Sequence, residues 1–309
     1  MPSNQSPLGA LPARFRRERL LLVGCGDVGM RVVRALGAPA PRLRVLALTS
    51  SPQRITELRA QGIVPLRGDL DDASTLMRLA GLATRVLHLA PPPGTGCADL
   101  RTVALARALA RRRMPRALVY GSTSGVYGDC AGAWVAETRR SAPGSDRAWR
   151  RLHAEMQLRA LGRRGIRVSL LRIPGIYAPD RPGGSPRERL RQATPTLRAQ
   201  EDVYVSRIHA DDLARACSAA LWRGKSQRIY HVSDDDCLRM GEYFDLAADL
   251  YGLPHLPRIT RDQAKETLSA AWLGFLSESR RLRNDRMRHE LRVQLRYPTA
   301  REGLGAQCG

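Results

Sequence analysis

Gly24, Gly26 and Gly29 stand in the run L-V-G-C-G-D-V-G-M, which fits G-x-G-x-x-G between an apolar run and an amphipathic one. Glycines at that spacing suit phosphate recognition. The first permits a tight turn, the second lets backbone approach a pyrophosphate, and the third lets a helix pack closely on a strand. A helix opening at Asp27 and Val28 would aim free amide donors and a partial positive charge at the phosphates. Further on, Ser122, Thr123 and Ser124 place hydroxyls in a row. They can satisfy backbone groups at a strand end. The run S-D-R-A-W-R-R-L-H-A-E, Ser145 to Glu155, adds arginines and His153 on an amphipathic helix.

Such residues need a scaffold that brings distant loops to one edge. Short apolar runs occur at Leu20–Val23, Val45–Leu48, Ile63–Pro65, Val86–Leu89, Ala117–Tyr120 and Val168–Ile173. Helical patterns separate them, among them Val28–Leu36, Ala73–Leu79 and Ala98–Arg112. Continuously apolar strands alternating with helices predict an α/β fold, a Rossmann-type doubly wound parallel sheet covered on both faces. Its ligand crevice lies at the carboxyl ends of the strands. The pattern breaks after Ile176, returns to strand and helix over V-Y-V-S-R-I-H-A-D-D-L-A-R-A, and turns mostly helical from Cys237. The expected division is a Rossmann domain over 19–176 and 203–233, and a smaller, mostly helical C-terminal substrate lobe over 177–202 and 234–309. A Pro-, Ser- and Arg-rich flexible arm is expected over 1–18.

Composition narrows the classes. Hydrophobic residues make up 43% of the 309, enough for a packed core. No apolar run approaches a membrane span or an export signal, so a cytoplasmic location is expected and no membrane partner. The formal charge of +22 invites nucleic acid. Only Lys225 and Lys265 are lysines, however, and the arginines are scattered through every segment beside Ala, Leu and Gly. That scatter is a compositional habit more than a binding stripe, and nucleic acid is not the expected partner. The six cysteines form no C-x-x-C pair and the histidines no H-E-x-x-H, so reduced thiols and no metal site are expected.

The choice of dinucleotide turns on the end of the second strand, where an acidic residue would favour NAD. Thr49, Ser50 and Ser51 stand there instead, followed by Arg54. Small hydroxyls and an arginine suit a 2′-phosphate, so NADP is preferred over NAD. The alternative is that Arg54 is one more surface arginine. Asp69 and Leu70, in G-D-L-D-D, follow the third strand. Asp69 can accept from the adenine amino group, or Asp69 or Asp71 can cap the helix near Ala73. Leu89, Ala90 and Pro91 follow the fourth strand and would pass beside the pyrophosphate and nicotinamide ribose. His88, inside that strand, reads as a core histidine.

Several motifs converge in order. G-S-T-S-G-V-Y-G-D (Gly121–Asp129) resembles the S-T-x-x-V-Y-G stretch of extended short-chain dehydrogenase/reductases, the NAD-dependent epimerase/dehydratase branch. L-R-I-P-G-I-Y-A-P-D-R is similar to their R-x-x-x-x-Y-G-P segment, with Ala178 for the glycine. R-I-H-A-D-D-L-A-R-A resembles I-H-V-D-D, and L-R-Y-P-T-A-R-E-G-L resembles their closing segment. The resemblance runs from Leu20 nearly to the end. It implies a nicotinamide dinucleotide, a small-molecule substrate in the C-terminal lobe, a catalytic Ser/Thr at Thr123, and a homodimer through helices flanking the sheet.

It also implies a Tyr-x-x-x-Lys pair, and here the chain departs. Alignment on Glu155 puts Arg147 at the tyrosine position and Arg151 at the lysine position; no tyrosine lies between Tyr127 and Tyr177. Arginine stays protonated and does not shuttle protons, and general acid/base help is worth roughly 10²–10⁴ in rate. Arg151 can still hydrogen-bond the nicotinamide ribose, and Arg147 can clamp an anionic substrate. Alternatively the helix is a solvated arginine face with Trp149, Leu152 and Met156 on its buried side. His153 would point some 120° away from Arg147, by an order-of-magnitude estimate, and Tyr127 is more often structural at such a place. Two functions remain open: an NAD(P)-binding epimerase/dehydratase-like oxidoreductase with an atypical site, and a non-catalytic NADP(H) sensor.

Overall fold

The computed structural model describes residues 18–37 and 43–305, so the arm expected over 1–18, apart from Glu18, lies outside the described residues. In chain order the strands are β1 (Glu18–Val23), β2 (Leu43–Thr49), β3 (Val64–Arg67), β4 (Arg85–His88), β5 (Ala117–Thr123), β6 (Trp134–Val135), β7 (Arg167–Ile173), β8 (Gly175–Tyr177), β9 (Thr196–Leu197), β10 (Arg207–His209), β11 (Arg228–His231), β12 (Arg258–Ile259) and β13 (Arg281–Leu282). The α-helices are α1 (Asp27–Ala35), α2 (Arg54–Ala60), α3 (Leu100–Leu109), α4 (Asp146–Gly162), α5 (Arg187–Arg191), α6 (Ala210–Arg223), α7 (Met240–Tyr251), α8 (Arg261–Thr267), α9 (Ala270–Leu276), α10 (Asp285–His289) and α11 (Ala300–Gly305).

A seven-stranded sheet in the order β11-β7-β5-β4-β1-β2-β3, parallel at every pairing, forms the centre. This is the expected doubly wound Rossmann-type sheet. The chain reverses direction across β1, between β4 and β2, and a ligand crevice belongs at such a switch point. Val23 pairs with Leu48 and with His88, and His88 pairs with Tyr120. That register starts the loops at Gly24, Thr49, Leu89 and Gly121 on one level.

Alternate side chains of β1 explain why it is apolar throughout. Leu20 and Leu22 enter one core with Val32 of α1 and Leu213 of α6. Leu21 and Val23 enter another with Leu105 of α3 and Leu158 of α4. A third apolar cluster gathers Tyr243 and Phe244 of α7, Trp272 of α9 and Leu304 of α11.

Two expectations need correction. Ala73–Leu79 is a 3₁₀ helix, and its cap is Asp72, which accepts from the Ser74 amide at 3.0 Å, in place of Asp69 or Asp71. The face of α4 is also different. Trp149 and Met156 are 47% and 50% exposed, while Ala148, Ala154, Glu155, Leu158 and Leu161 are buried. Near its start α4 packs on the turn after β5, where a Cβ built on Gly125 would lie 3.9 Å from that of Ala148. Nor are the arginines all solvated, since Arg150 is 8% exposed and donates to the Gly96 carbonyl oxygen.

Candidate active site

The glycine loop is shaped by one close approach. Gly24 has φ +89°, and a Cβ there would lie 2.3 Å from the Ala90 nitrogen. The approach is fixed by the Leu89 and Ala90 amides, which donate to the Val23 carbonyl oxygen at 2.7 and 3.0 Å. Gly29 packs with equal economy, a built Cβ lying 3.1 Å from the Gly24 carbonyl oxygen. Gly26 differs. It caps α1 with no side-chain cap, and a Cβ there meets nothing within 4 Å. Its bareness therefore keeps space open before the amides of α1, where a phosphate would be received. Val28 turns inward against the core behind this loop.

Asp27 would set a negative charge beside such an anion, but it is compensated. Its carboxylate accepts from Arg31 Nε at 3.0 Å and from Arg181 Nε at 2.9 Å. Arg31 is 5% exposed and also reaches Asp180 at 2.7 Å and Asp211 at 2.6 Å. These carboxylate hydrogen bonds outweigh burial and raise its pKa. The cluster ties α1 to the segment after β8 and to the start of α6.

At the other side of the loop, Arg54 donates from Nη1 to the Cys25 carbonyl oxygen at 2.6 Å and from Nε to Glu57 at 3.2 Å. It thus arches from α2 over the glycine loop. Thr49 folds its hydroxyl onto the Ser51 amide at 3.2 Å, while Ser50 is exposed. Asp69 accepts from the Asp71 amide at 3.0 Å, Leu70 packs against the α3 side of the core, and Asp71 pairs with Arg101 at 2.6 Å. Arg101 also holds the Pro91 carbonyl oxygen at 3.2 Å.

Arg151 enters the crevice from α4. Its Nη1 donates to the Gly121 carbonyl oxygen at 2.9 Å, the Tyr120 hydroxyl at 3.0 Å and the Ala90 carbonyl oxygen at 3.4 Å. It bridges the ends of β4 and β5. Thr123, half-buried at the end of β5, accepts from the Gly125 amide at 3.2 Å. Its oxygen is thus used in capping a short 3₁₀ turn, and its hydroxyl proton is left for another acceptor. Arg147 is exposed and has no hydrogen bond or ion pair among the described residues. Desolvation and the charges of Arg151 and Arg150 lower its pKa from the ordinary arginine value.

The other titratable groups are engaged elsewhere. His153 Nδ1 accepts from the Asp99 amide at 3.1 Å, facing α3. Tyr127 is 1% exposed, bonded to His231 Nε2 at 2.6 Å, and burial pushes its pKa up to about 12. His88 is a core residue, 2.9 Å from the Thr102 hydroxyl, with burial pulling its pKa down to about 3.

The profile of the NAD dependent epimerase/dehydratase family matches residues 20–233. The chain belongs to this family. Among solved structures, a functionally unknown conserved protein from Silicibacter pomeroyi is 31% identical, with a TM-score of 0.75 over 94% of this chain and 97% of that one. UDP-glucuronic acid 4-epimerase from Bacillus cereus, solved with a fluorinated UDP-sugar and NAD, is 18% identical, with a TM-score of 0.73 over 94% and 97%. UDP-glucose 4-epimerase from Thermotoga maritima, solved with UDP-glucose, is 18% identical, with a TM-score of 0.75 over 93% and 96%. None of the curated proteins compared with the chain matches it.

Sequence reasoning missed a buried ion pair, Glu155 with Arg172. Glu155 accepts from Ser122 Oγ at 2.6 Å and from Arg172 at 3.1 and 2.7 Å, and Arg172 also lies 4.5 Å over the Tyr127 ring. Glu155 served the sequence reading only as an alignment anchor. A glutamate on the buried side of a helix, with an arginine in a core strand, is the signal that marks such a pair. Among the described residues, no His/Cys/Asp/Glu group is placed to hold a metal, and no helix is long and apolar enough to cross a membrane.

Proposed function

We propose that this chain is an NAD(P)-binding, epimerase/dehydratase-like oxidoreductase with an atypical site, acting on an anionic small molecule. The observation that carries the proposal is the open position at Gly26 before the amides of α1, at the same edge of the sheet as Arg151 and Thr123. The loop fits a dinucleotide because a Cβ at Gly26 would fill empty space and nothing else. Gly24, Gly26, Asp27, Val28 and Gly29 would receive the pyrophosphate; Thr49, Ser50, Arg54, Asp69 and Leu70 would line the adenosine end. Leu89, Ala90, Pro91 and Arg151 would hold the nicotinamide ribose. NADP is preferred, because small hydroxyls and Arg54, in place of an acidic residue, follow the second strand. The structurally similar epimerases solved with NAD or a UDP-sugar support the ligand classes.

When bound, the nicotinamide supplies a hydride donor or acceptor. Thr123, as catalytic residue, donates its free hydroxyl proton as a hydrogen bond to the substrate oxygen. Arg147 supplies a permanent cation that pairs with an anionic group of the substrate. It moves no proton, so the proton comes from water or from the substrate itself. A second reading, a non-catalytic NADP(H) sensor, is favoured by one observation: Tyr127, His153 and Glu155 are all committed to structural hydrogen bonds.

Calorimetric titration with NADPH, NADH and the oxidised forms tests binding. Micromolar NADPH with much weaker NADH supports the proposal; no binding at millimolar concentration defeats both readings. Loss of the reduced cofactor's near-ultraviolet absorbance across anionic carbonyl compounds, with Thr123→Ala as control, then separates enzyme from sensor.

A further inference from the structure

We infer that the protein has a second ligand site, separate from the dinucleotide crevice, that takes a small phosphate-bearing molecule. It lies on the flank of α4 beside the edge strand β11, in a cavity of about 560 Å³. Pockets of this order hold small metabolites.

Its charge is unbalanced. Five arginines line it and only two acidic residues, Glu137 and Glu155. Both acids are already spent. Glu155 is consumed by Arg172 and Ser122. Glu137 is 6% exposed, accepts from the His231 amide at 3.3 Å and lies 3.5 Å from Arg286 Nε. Arg228 pairs with Glu290 outside the cavity. What remains is cationic and free. The side chains of Arg139 and Arg159 have no hydrogen bond or ion pair among the described residues. Arg286 uses Nε on Glu137 and Nη1 on the Ile229 carbonyl oxygen at 3.4 Å, which leaves Nη2.

These free donors come from three elements: the loop after β6, α4 and α10. Guanidiniums arriving from three directions suit a tetrahedral dianion better than a planar carboxylate, which one fork satisfies. Leu152 and the 50% exposed Met156 supply an apolar wall beside them, a fit for the carbon skeleton of a phosphate ester. An ordinary solvated arginine patch lacks both the concave volume and the apolar wall.

The test is calorimetric titration of the full chain with inorganic pyrophosphate at low ionic strength, in variants that separate this cavity from the glycine loop. Gly26→Ala obstructs the loop and leaves the flank of α4 untouched. Arg139→Gln/Arg159→Gln removes two side chains that have no partner to lose, so folding is preserved, which a thermal melt checks. Expected are submillimolar binding retained in Gly26→Ala and at least a tenfold loss when Arg139→Gln/Arg159→Gln is added to Gly26→Ala. The inference is overturned if Gly26→Ala no longer binds pyrophosphate, because the loop is then the anion site. It is equally overturned if the triple variant binds it as Gly26→Ala does. Neither result depends on turnover or on the identity of the dinucleotide.

Discussion

Gly24 and Gly26 sit two residues apart and should fail in opposite ways when each is replaced by alanine. At Gly24 the added methyl would lie 2.3 Å from the Ala90 nitrogen, on a backbone at φ +89°. The left-handed conformation alone costs alanine about 1–2 kcal/mol. Relief of the overlap moves the Leu89–Ala90 backbone, which breaks the two amide hydrogen bonds to the Val23 carbonyl oxygen; each is worth about 1 kcal/mol. The total is about 3–4 kcal/mol, and at roughly 2–4 °C per kcal/mol the melting temperature falls by at least ~6 °C. At Gly26 the methyl meets nothing within 4 Å, on a backbone at φ −82° that alanine accepts. Lost cap preference and lower chain entropy nearly offset, so stability changes by less than about 1 kcal/mol. Dinucleotide affinity, however, falls at least tenfold, about 1.4 kcal/mol, because the methyl occupies the phosphate approach. Calorimetric melts and titrations with NADPH read both quantities. The reasoning is refuted if Gly26→Ala binds NADPH like the parent, or if Gly24→Ala melts with it.

Acid should destabilise the protein through two buried histidines. Burial pulls His88 and His231 each down to about 3, against about 6.5 unfolded. Their contribution is therefore complete above about pH 6.5 and is lost as pH falls toward 3, by about 2 kcal/mol each at pH 5; urea midpoints equal at pH 7.5 and 5.0 would contradict this. Arg54→Ala should weaken NADPH at least roughly tenfold and NADH far less; equal losses in paired titrations would make Arg54 a loop brace only. Glu155→Gln strands the 3% exposed Arg172 and should cost about 3–5 kcal/mol, whereas Glu155→Met/Arg172→Met should cost clearly less. Denaturant unfolding decides, and a double variant as unstable as the single one rejects the pair as the cause.

The sheet was legible because its signal is one-dimensional. Leu20–Val23 is buried on both faces, so every residue is apolar, and periodicity needs no partner to be read. The glycine loop was legible for a related reason: the constraint on each glycine comes from backbone within the motif and from the loop after the next apolar run. The face of α4 was not. Its large apolar residues Trp149 and Met156 point outward while Ala148, Ala154, Leu158 and Leu161 turn in, and which side of a helix meets the sheet is a tertiary quantity. The Arg31 cluster was hidden for the same cause. Only its bond to Asp27 is local; Asp180 and Asp211 lie 149 and 180 residues away in sequence.

Arginine content is where sequence and structure diverge most in meaning. A formal charge of +22 suggests an outward field, yet many guanidiniums serve as internal struts. Arg85 and Arg167 both donate to the Leu221 carbonyl oxygen near the end of α6, Arg207 to that of Val205, and Arg150 to that of Gly96. A carbonyl at a helix end carries the negative pole of the helix dipole, so it stabilises a cation there much as an acidic partner does; Arg85 also lies 3.3 Å from Glu18. Counting acids and bases therefore cannot identify which arginines are free to bind a ligand. Arg151 and Arg147 show the difference within one turn of α4. Arg151 is held by backbone and hydroxyl oxygens, as a positioning group must be. Arg147 touches none and keeps its full capacity for an incoming anion. Their spacing in the chain matches a tyrosine and a lysine, but the oxygens around them decide what each can do, and those around Arg151 belong to β5 and the loop after β4.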